Sequence, residues 1–292
     1  MNKYRIHLLG LAHIPTNSEY ISCAYTQKIR KLARMMRSLG HYVYFYGAEG
    51  SDVECDEFIQ VVSKQTIKKT YGDYDWKKEM FKFDSQDEAH KEFNRNAIPE
   101  INKRKEKKDF LFATMGTHHQ PISVATDLLT IECGIGYYGI FSRFKVFESY
   151  AWMHHIYGFQ QNKQVNLYDC VIPNYFDPAD FEYKSEKQDY FLYLGRLISD
   201  KGIHIAKEAC ETADVKLKVA GQGDPTWLGE SKNVEYVGFA DKEKRKELMA
   251  NAKAIFVPTL YVEPFGGVNV EAAMSGTPVI CTDAGGFAET VV

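Results

Sequence analysis

The sequence predicts an α/β protein of two domains, each built on a parallel sheet. Three observations predict it. The chain has 292 residues, more than one hydrophobic core comfortably holds. Short apolar runs alternate with segments of helical periodicity, and this alternation restarts near residue 190. Between the two series lie two Pro-containing turns, IPN and FDPAD, and then a charged stretch, as expected of a linker. The boundaries this gives are 1–175, a linker at 176–189, and 190–292.

In the first series Tyr4–Leu9 reads as a buried strand, followed by a polar loop. Thr26–Leu39 reads as a helix, because Ile29, Leu32, Ala33, Met36 and Leu39 recur at spacings of three and four. Gly40 stands where a C-terminal cap belongs. His41–Tyr46 is the next strand. Residues 63–109 are rich in Lys, Asp, Glu and Asn, which predicts helices and mobile loops. Their charged end, Asn102–Asp109, reads as solvated surface. Strands resume at Phe110–Met115, Leu128–Cys133, Phe144–Phe147 and Tyr168–Ile172.

In the second series strands are expected at Tyr190–Leu194, Val215–Ala220, Val234–Val237, Ala254–Val257 and Pro278–Thr282. Helices are expected at Lys201–Thr212, Lys242–Asn251 and Val268–Ser275. Short strands separated by helices imply a second parallel sheet with helices on both faces.

Composition narrows the function. Apolar residues make up 45% and charged residues 26%, ordinary for a soluble globular chain. With 19 Tyr and 18 Phe, the chain does not resemble a disordered one. A net charge of −3 gives no electrostatic reason to expect nucleic acid as the main partner. The opening MNKYRIHLLGLAHIP lacks the features of a signal peptide, and no stretch approaches the roughly 20 apolar residues that span a bilayer. Six scattered cysteines without a C-x-x-C pair argue against a zinc site or a disulfide framework. A cytoplasmic protein is expected, with peripheral membrane contact left open.

Chemistry concentrates in two segments. In FVPTLYVEPFGGVNVEAAMSG (256–276) a strand ends at Pro258, a loop carries Glu263, Pro264, Phe265, Gly266 and Gly267, and a helix begins near Val268. The glycines let backbone N–H groups approach a ligand, and the helix N-terminus adds unpaired donors and partial positive charge. A phosphate or sugar hydroxyl fits there without a basic side chain. Glu263 on the loop and Glu271 in the helix can reach different parts of one extended ligand. In LGRLISDKG (194–202) a strand ends at Gly195, and Arg196 and Lys201 follow. Two cations at the C-terminal end of a parallel strand suit a diphosphate.

Taken together these segments resemble the donor domain of the family 4 retaining glycosyltransferases of the GT-B fold. Tyr193–Gly202 is similar to that family's G-R-L-x-x-x-K-G segment, and VAGQGD (219–224) to its strand and Gly-x-Gly turn. Val237–Gly238 corresponds to the VG before the nucleotide-base loop, and Glu263–Glu271 to the E-x7-E motif with PFG inside it. SGTP (275–278) and AGGFAE (284–289) correspond to the segments that follow. The resemblance covers roughly residues 190–292 and is looser in the first domain.

The resemblance implies two Rossmann-like domains facing a cleft and transfer of a hexosyl group from a UDP- or GDP-sugar, with retention of configuration. The acceptor, a carbohydrate, lipid or other hydroxyl compound, is not specified. Arg196 and Lys201 would neutralise the donor diphosphate, and Glu263 would orient the sugar. Backbone at Gly195, Gly221, Phe265, Gly266, Gly267 and Val268 would line the donor, with Gly238 and Phe239 near the base and Glu271 on the ribose. No D-x-D motif is evident, so no metal and no cofactor beyond the nucleotide sugar is expected.

The family's sugar-contacting histidine follows a strand of the first domain. Here Gly116-Thr117-His118-His119 follows Phe110–Met115, and His118 is the first candidate, His119 the second. The family's Gly-Gly turn after the first strand is replaced by AHIPTN, where Thr16 and Asn17 are acceptor-side candidates. ECGIGYY (132–138) reads as a glycine-containing loop past a strand and supplies Gly136 and Tyr137. Trp152, Met153 and Tyr157 read as core or as an acceptor-pocket lining. The family continues beyond the point matched by Val292, so a short form is expected, with a weaker interdomain clamp and self-association among its consequences. A shortened relative that binds nucleotide or carbohydrate without turnover is the alternative.

Overall fold

A computed structural model describes residues 2–20 and 22–291. The chain divides into two compact units. The first comprises Met1–Tyr74, Phe81–Glu148 and Ile156–Pro173. The second comprises Asp75–Met80, Ser149–His155 and Asn174–Val292.

In the first unit β1 (Arg5–Leu9) lies inside a seven-stranded sheet because Ile6, Leu8 and Leu9 are buried among neighbours on both faces. α1 (Ala24–Ser38) turns Thr26, Ile29 and Ala33 inward, and Gly40, at φ +83°, follows its end. β2 (Tyr42–Ala48) pairs in parallel with β1 and with β3 (Glu57–Val62). β3 has no counterpart in the sequence reading. It is an edge strand whose apolar residues are interrupted by Gln60 and preceded by the acidic segment 52–56.

The polar segment 63–109 forms α2 (Lys64–Tyr71) and α3 (Glu88–Arg104). Ser63 and Asp87 cap them by accepting the amides of Thr66 and His90. α3 buries Ala89, Phe93, Ala97 and Ile101, one residue every four, against the sheet. The charged run after it is not simply solvated. Arg104 pairs with Glu57 and Glu100, and Asp109, 5% exposed, holds the buried His7 ring at 3.1 Å. An unpaired buried charge is costly, and these partners explain why the run turns inward.

β4 (Phe110–Ala113), α4 (Gln120–Thr126), β5 (Leu129–Ile135), β6 (Phe144–Phe147), α5 (Tyr150–Phe159) and β7 (Asp169–Val171) follow. β5 continues through Glu132, Cys133 and Gly134, so most of the expected glycine loop is strand. Trp152 is core at 4% exposure, whereas Met153 and Tyr157 are half-buried. The sheet order is β3-β2-β1-β4-β5-β6-β7, all parallel where paired.

The second unit carries β8 (Phe191–Leu194), α6 (Ile203–Thr212), β9 (Leu217–Ala220), β10 (Val234–Gly238), α7 (Lys242–Asn251), β11 (Ile255–Val257), α8 (Gly267–Met274), β12 (Val279–Cys281) and α9 (Phe287–Thr290). Its parallel sheet has the order β10-β9-β8-β11-β12. Leu192, Leu194, Ala220, Ile255 and Ala272 form one side of the core, and Tyr193, Ile203, Leu217 and Val219 the other. Burying each such large side chain stabilises by about 1.5–3 kcal/mol. Strand order reverses between β8 and β11, and in open parallel sheets ligands bind outside the carboxyl ends at such a reversal. Among the described residues no helix is long and apolar enough to cross a membrane.

Candidate functional site

The loops after β8 and β11 flank the strand reversal of the second sheet. They hold most of the charged candidates, because each strand ends just before them. Their backbones touch: a Cβ on Gly202 would lie 2.0 Å from the Pro258 carbonyl, and Leu260 N–H donates to Asp200 O at 2.9 Å. Only glycine, here at φ +69°, fits the crossing. This contact brings Lys201 Nζ to Glu263 Oε2 at 2.8 Å. Both side chains keep partial exposure, 20% and 16%. Lys201 Nζ also lies 4.6 Å from the centre of the Tyr261 ring. The Tyr261 phenol is pushed above its ordinary range, first by burial and then by Glu263, while Arg196 opposes the shift. Arg196, Lys201, Tyr261 and Glu263 thus form one cluster, and Tyr261 is a member that sequence reasoning missed.

Glu263 is held by backbone as well. It bridges to Gly285, and Gly286 N–H donates to its carbonyl at 2.7 Å. Gly266, at φ +87°, precedes the first turn of α8, and Gly267 opens that helix. A Cβ on Gly266 would meet the Phe287 ring at 2.5 Å, so the turn is packed from behind by α9. Phe265 is buried and lies parallel to Phe176 at 6.2 Å, while Val268 is half-buried against the core. Past Glu263, backbone rather than side chains is what this loop offers a ligand.

The ends of β9 and β10 complete the edge. A Cβ on Gly221 would fall 1.8 Å from Gly195 O, and Gly221 N–H donates to Gly238 O at 3.2 Å. Gly238 has open space on its Cβ side. Segment Asp75–Met80, inside the stretch expected to hold helices and mobile loops, packs here. Gln222 Nε2 donates to the carbonyls of Trp76 and Glu79, the latter at 2.5 Å. Trp76 meets Phe239 edge-on at 5.4 Å, and Arg196 Nη1 lies 3.7 Å from Met80 Sδ. No motif in the sequence marks 75–80 for that position.

Glu271 is 7% exposed, one or two turns into α8, and Arg245 of α7 donates to its Oε2. Arg245 was hidden in the sequence inside the polar run KEKRKE.

The first unit has its own strand reversal, between β1 and β4, where the histidine candidates lie. His119 does not face a ligand. It is 3% exposed; its Nδ1 accepts Thr114 N–H at 3.2 Å, and its Nε2 donates to Gly10 O at 3.1 Å. Burial pushes it down to about 3, so it is neutral. His118 is half-buried, with Nδ1 3.1 Å from Met115 O, which leaves Nε2 as the acceptor nitrogen. Burial, then neighbouring His90, holds His118 below the ordinary histidine range.

The acceptor-side candidates are committed to the fold. Thr16 is fully buried, with its N–H on Ser51 Oγ at 2.9 Å. Asn17 donates to Gly50 O and accepts from Glu19 N–H. Gly136 packs on the Glu148 carboxylate, which Lys28 neutralises. Tyr137 is 9% exposed and donates to Glu132 Oε1 at 3.2 Å. Glu132 also accepts the amides of Phe141 and Ser142, both at 3.0 Å, and burial raises its pKa. The sequence signal, polar and glycine residues near strand ends, cannot separate such internal bracing from a ligand surface.

Residues 177–292 match the family model described as Glycosyl transferases group 1. An uncharacterized glycosyltransferase of Methanocaldococcus jannaschii is 33% identical over 118 residues, which is 36% of this chain and 30% of that protein's length. Among solved structures, sucrose-phosphate synthase of Thermosynechococcus elongatus superposes with a TM-score of 0.72 at 18% identity, covering 99% of this chain and 84% of that one. Anabaena HepE, solved with UDP-glucose, gives 0.67 at 15% identity, covering 98% and 82%. The fold class is therefore that of the GT-B glycosyltransferases, with two Rossmann-like α/β domains.

Proposed function

We propose that this protein transfers a hexosyl group from a nucleoside-diphosphate sugar to a hydroxyl acceptor with retention of configuration. The observation that carries the proposal is the Arg196–Lys201–Glu263 cluster at the strand reversal of the second sheet. The matched Glycosyl transferases group 1 region contains all three residues. UDP-glucose in the HepE structure supports a UDP-sugar as the first donor to try, with GDP-sugars as the second.

In this reading the bond between the anomeric carbon and the donor phosphate oxygen breaks, and the diphosphate leaves with the electron pair. The acceptor hydroxyl attacks from the same face and passes its proton to the departing phosphate oxygen. Negative charge grows on the leaving group. Arg196 and Lys201 meet it with preorganised positive charge, and the amides at the start of α8 add donors. The chain's own cations would carry this task without a metal ion. Glu263, already bonded to Lys201, would orient the sugar hydroxyls, and Glu271 would accept from the ribose. His118 is the first unit's candidate for a sugar hydroxyl. Unlike His119, whose two ring nitrogens are both bonded, it engages the backbone through Nδ1.

The test is nucleotide release from a panel of UDP- and GDP-sugars with mixed sugar and lipid acceptors. Release should require an acceptor and persist in EDTA. Glu263→Ala should lower turnover by about 10²–10³ while nucleotide affinity changes little. Nucleotide binding without acceptor-dependent release would instead support a binding protein, and unchanged turnover in Glu263→Ala would remove that residue from the site.

A further inference from the structure

The Glu271 carboxylate is buried, and one of its oxygens, Oε2, is bonded by Arg245. Among the described residues its other oxygen, Oε1, has no hydrogen-bond partner. The pair is shielded, with side-chain exposures of 18% for Arg245 and 9% for Glu271. Nearby cations on α7 have other tasks. Lys244 Nζ binds the carbonyl of Val237, and Lys242 Nζ binds Asp180 at 3.0 Å. Asp241 caps α7 by accepting Lys244 N–H at 2.9 Å, which fixes where the helix starts and hence where Arg245 points. α8 is fixed in turn by Gly266 and by Ser275, whose Oγ donates to the Glu271 carbonyl at 3.0 Å.

We propose that Arg245 is a positioning residue for the nucleotide: by holding Oε2 of Glu271 it leaves Oε1 aimed at the 2′- and 3′-hydroxyls of the ribose. This rests on the reading of Glu271 given above. A charge-assisted bond from the guanidinium to Oε2 anchors that oxygen and leaves the other for a ligand. Without it the buried carboxylate loses its charge partner and turns toward water. That removes the ribose acceptor and leaves the diphosphate cluster around Lys201 in place.

The test is calorimetric titration of the full chain with UDP, 2′,3′-dideoxy-UDP and inorganic pyrophosphate, with GDP and its dideoxy analogue as a second pair. The parent should prefer the ribose nucleotide by about tenfold or more, as a charge-assisted hydrogen bond commands. Arg245→Met should reduce that preference to about twofold or less and leave pyrophosphate affinity unchanged within about twofold. Arg245→Lys should restore part of the preference, because a point charge replaces the planar fork. A full ribose preference in Arg245→Met would overturn the proposal. So would an equal loss for UDP and pyrophosphate, which marks a merely structural effect. A parent that does not distinguish ribose from dideoxyribose, in either base series, would overturn the reading of Glu271 itself.

Discussion

Each sheet reverses its strand order once, and the two reversals are finished differently. In the first unit the loops after β1 and β4 are tied together by the fold's own polar groups. His119 binds Gly10 O across the gap, and Thr114 Oγ1 donates to Leu9 O at 2.9 Å. In the second unit the loops after β8 and β11 touch through bare backbone at Gly202 and Pro258. Their charged side chains, Lys201 and Glu263, remain partly open to solvent. A strand reversal marks where a ligand can bind, and the charged side chains that stay partly open to solvent there determine whether it does.

The largest expected effect tests the open reversal. Lys201→Met should lower donor turnover by about 10²–10³, the usual cost of losing one preorganised charge-stabilising donor. Its urea midpoint should stay close to the parent's, because a partly exposed ion pair contributes about 0–1 kcal/mol. A large loss of stability with unchanged turnover would make Lys201 a bracing residue like those of the first unit.

His119→Ala is the mirror experiment. It removes two backbone hydrogen bonds and leaves a cavity beside Phe93, whose ring stacks on His119 at 5.6 Å. A destabilisation of about 2–3 kcal/mol is expected in chemical denaturation. His118→Ala should cost about 0.5 kcal/mol or less and act on turnover instead. If the two substitutions exchange these signatures, the assignment of the adjacent histidines is reversed.

The closed reversal also predicts a pH dependence. His13 and His119 are each pushed down to about 3 by burial, from an ordinary histidine value of 6.5. The unfolded chain therefore binds more protons than the folded chain between these values. Their contribution is fully present above pH 6.5 and is lost progressively as pH falls toward 3. Denaturation midpoints measured from pH 7.5 to 4.5 should fall, and His119→Gln should flatten the fall. An unchanged slope would show that His119 is not held neutral.

The smallest effect concerns the glycines of the open edge. Gly238→Ala meets no atom within 4 Å, so only its positive φ of 85° is penalised, at about 1–2 kcal/mol. Gly221→Ala would drive a methyl group onto Gly195 O and should cost distinctly more. Comparable midpoints for the two would argue against the close packing of the β8 and β9 ends.

This contrast explains what was legible in the sequence. Buried runs such as Phe191–Leu194 and Leu217–Ala220 announce central strands, because a strand covered on both faces must be apolar. The edge strand β3 does not announce itself, since one side of its pairing is open and its residues are mixed. The residues that cluster at the ends of β8 and β11 were legible because glycine, Arg and Lys in fixed order report a backbone approach and a charge. Asn17, His119 and Tyr137 carried the same kind of signal and were used for internal bonding, and Thr16 was buried. Arg245 and Tyr261 were not legible. Arg245 is one cation among five basic or acidic neighbours in KEKRKE, and its meaning depends on α7 packing beside α8. The placement of Asp75–Met80 against Gln222 and Phe239 is likewise a tertiary fact with no local pattern behind it.

The central claim is that Arg196 and Lys201 make the end of β8 a diphosphate site. Calorimetric titration with UDP, UMP, GDP and GMP tests it most directly. The parent should bind at least one nucleoside diphosphate tenfold or more above its monophosphate, and Arg196→Ala combined with Lys201→Ala should erase that ratio, about 1.4 kcal/mol at minimum. A double variant that keeps the parent's preference for the diphosphate would contradict the account.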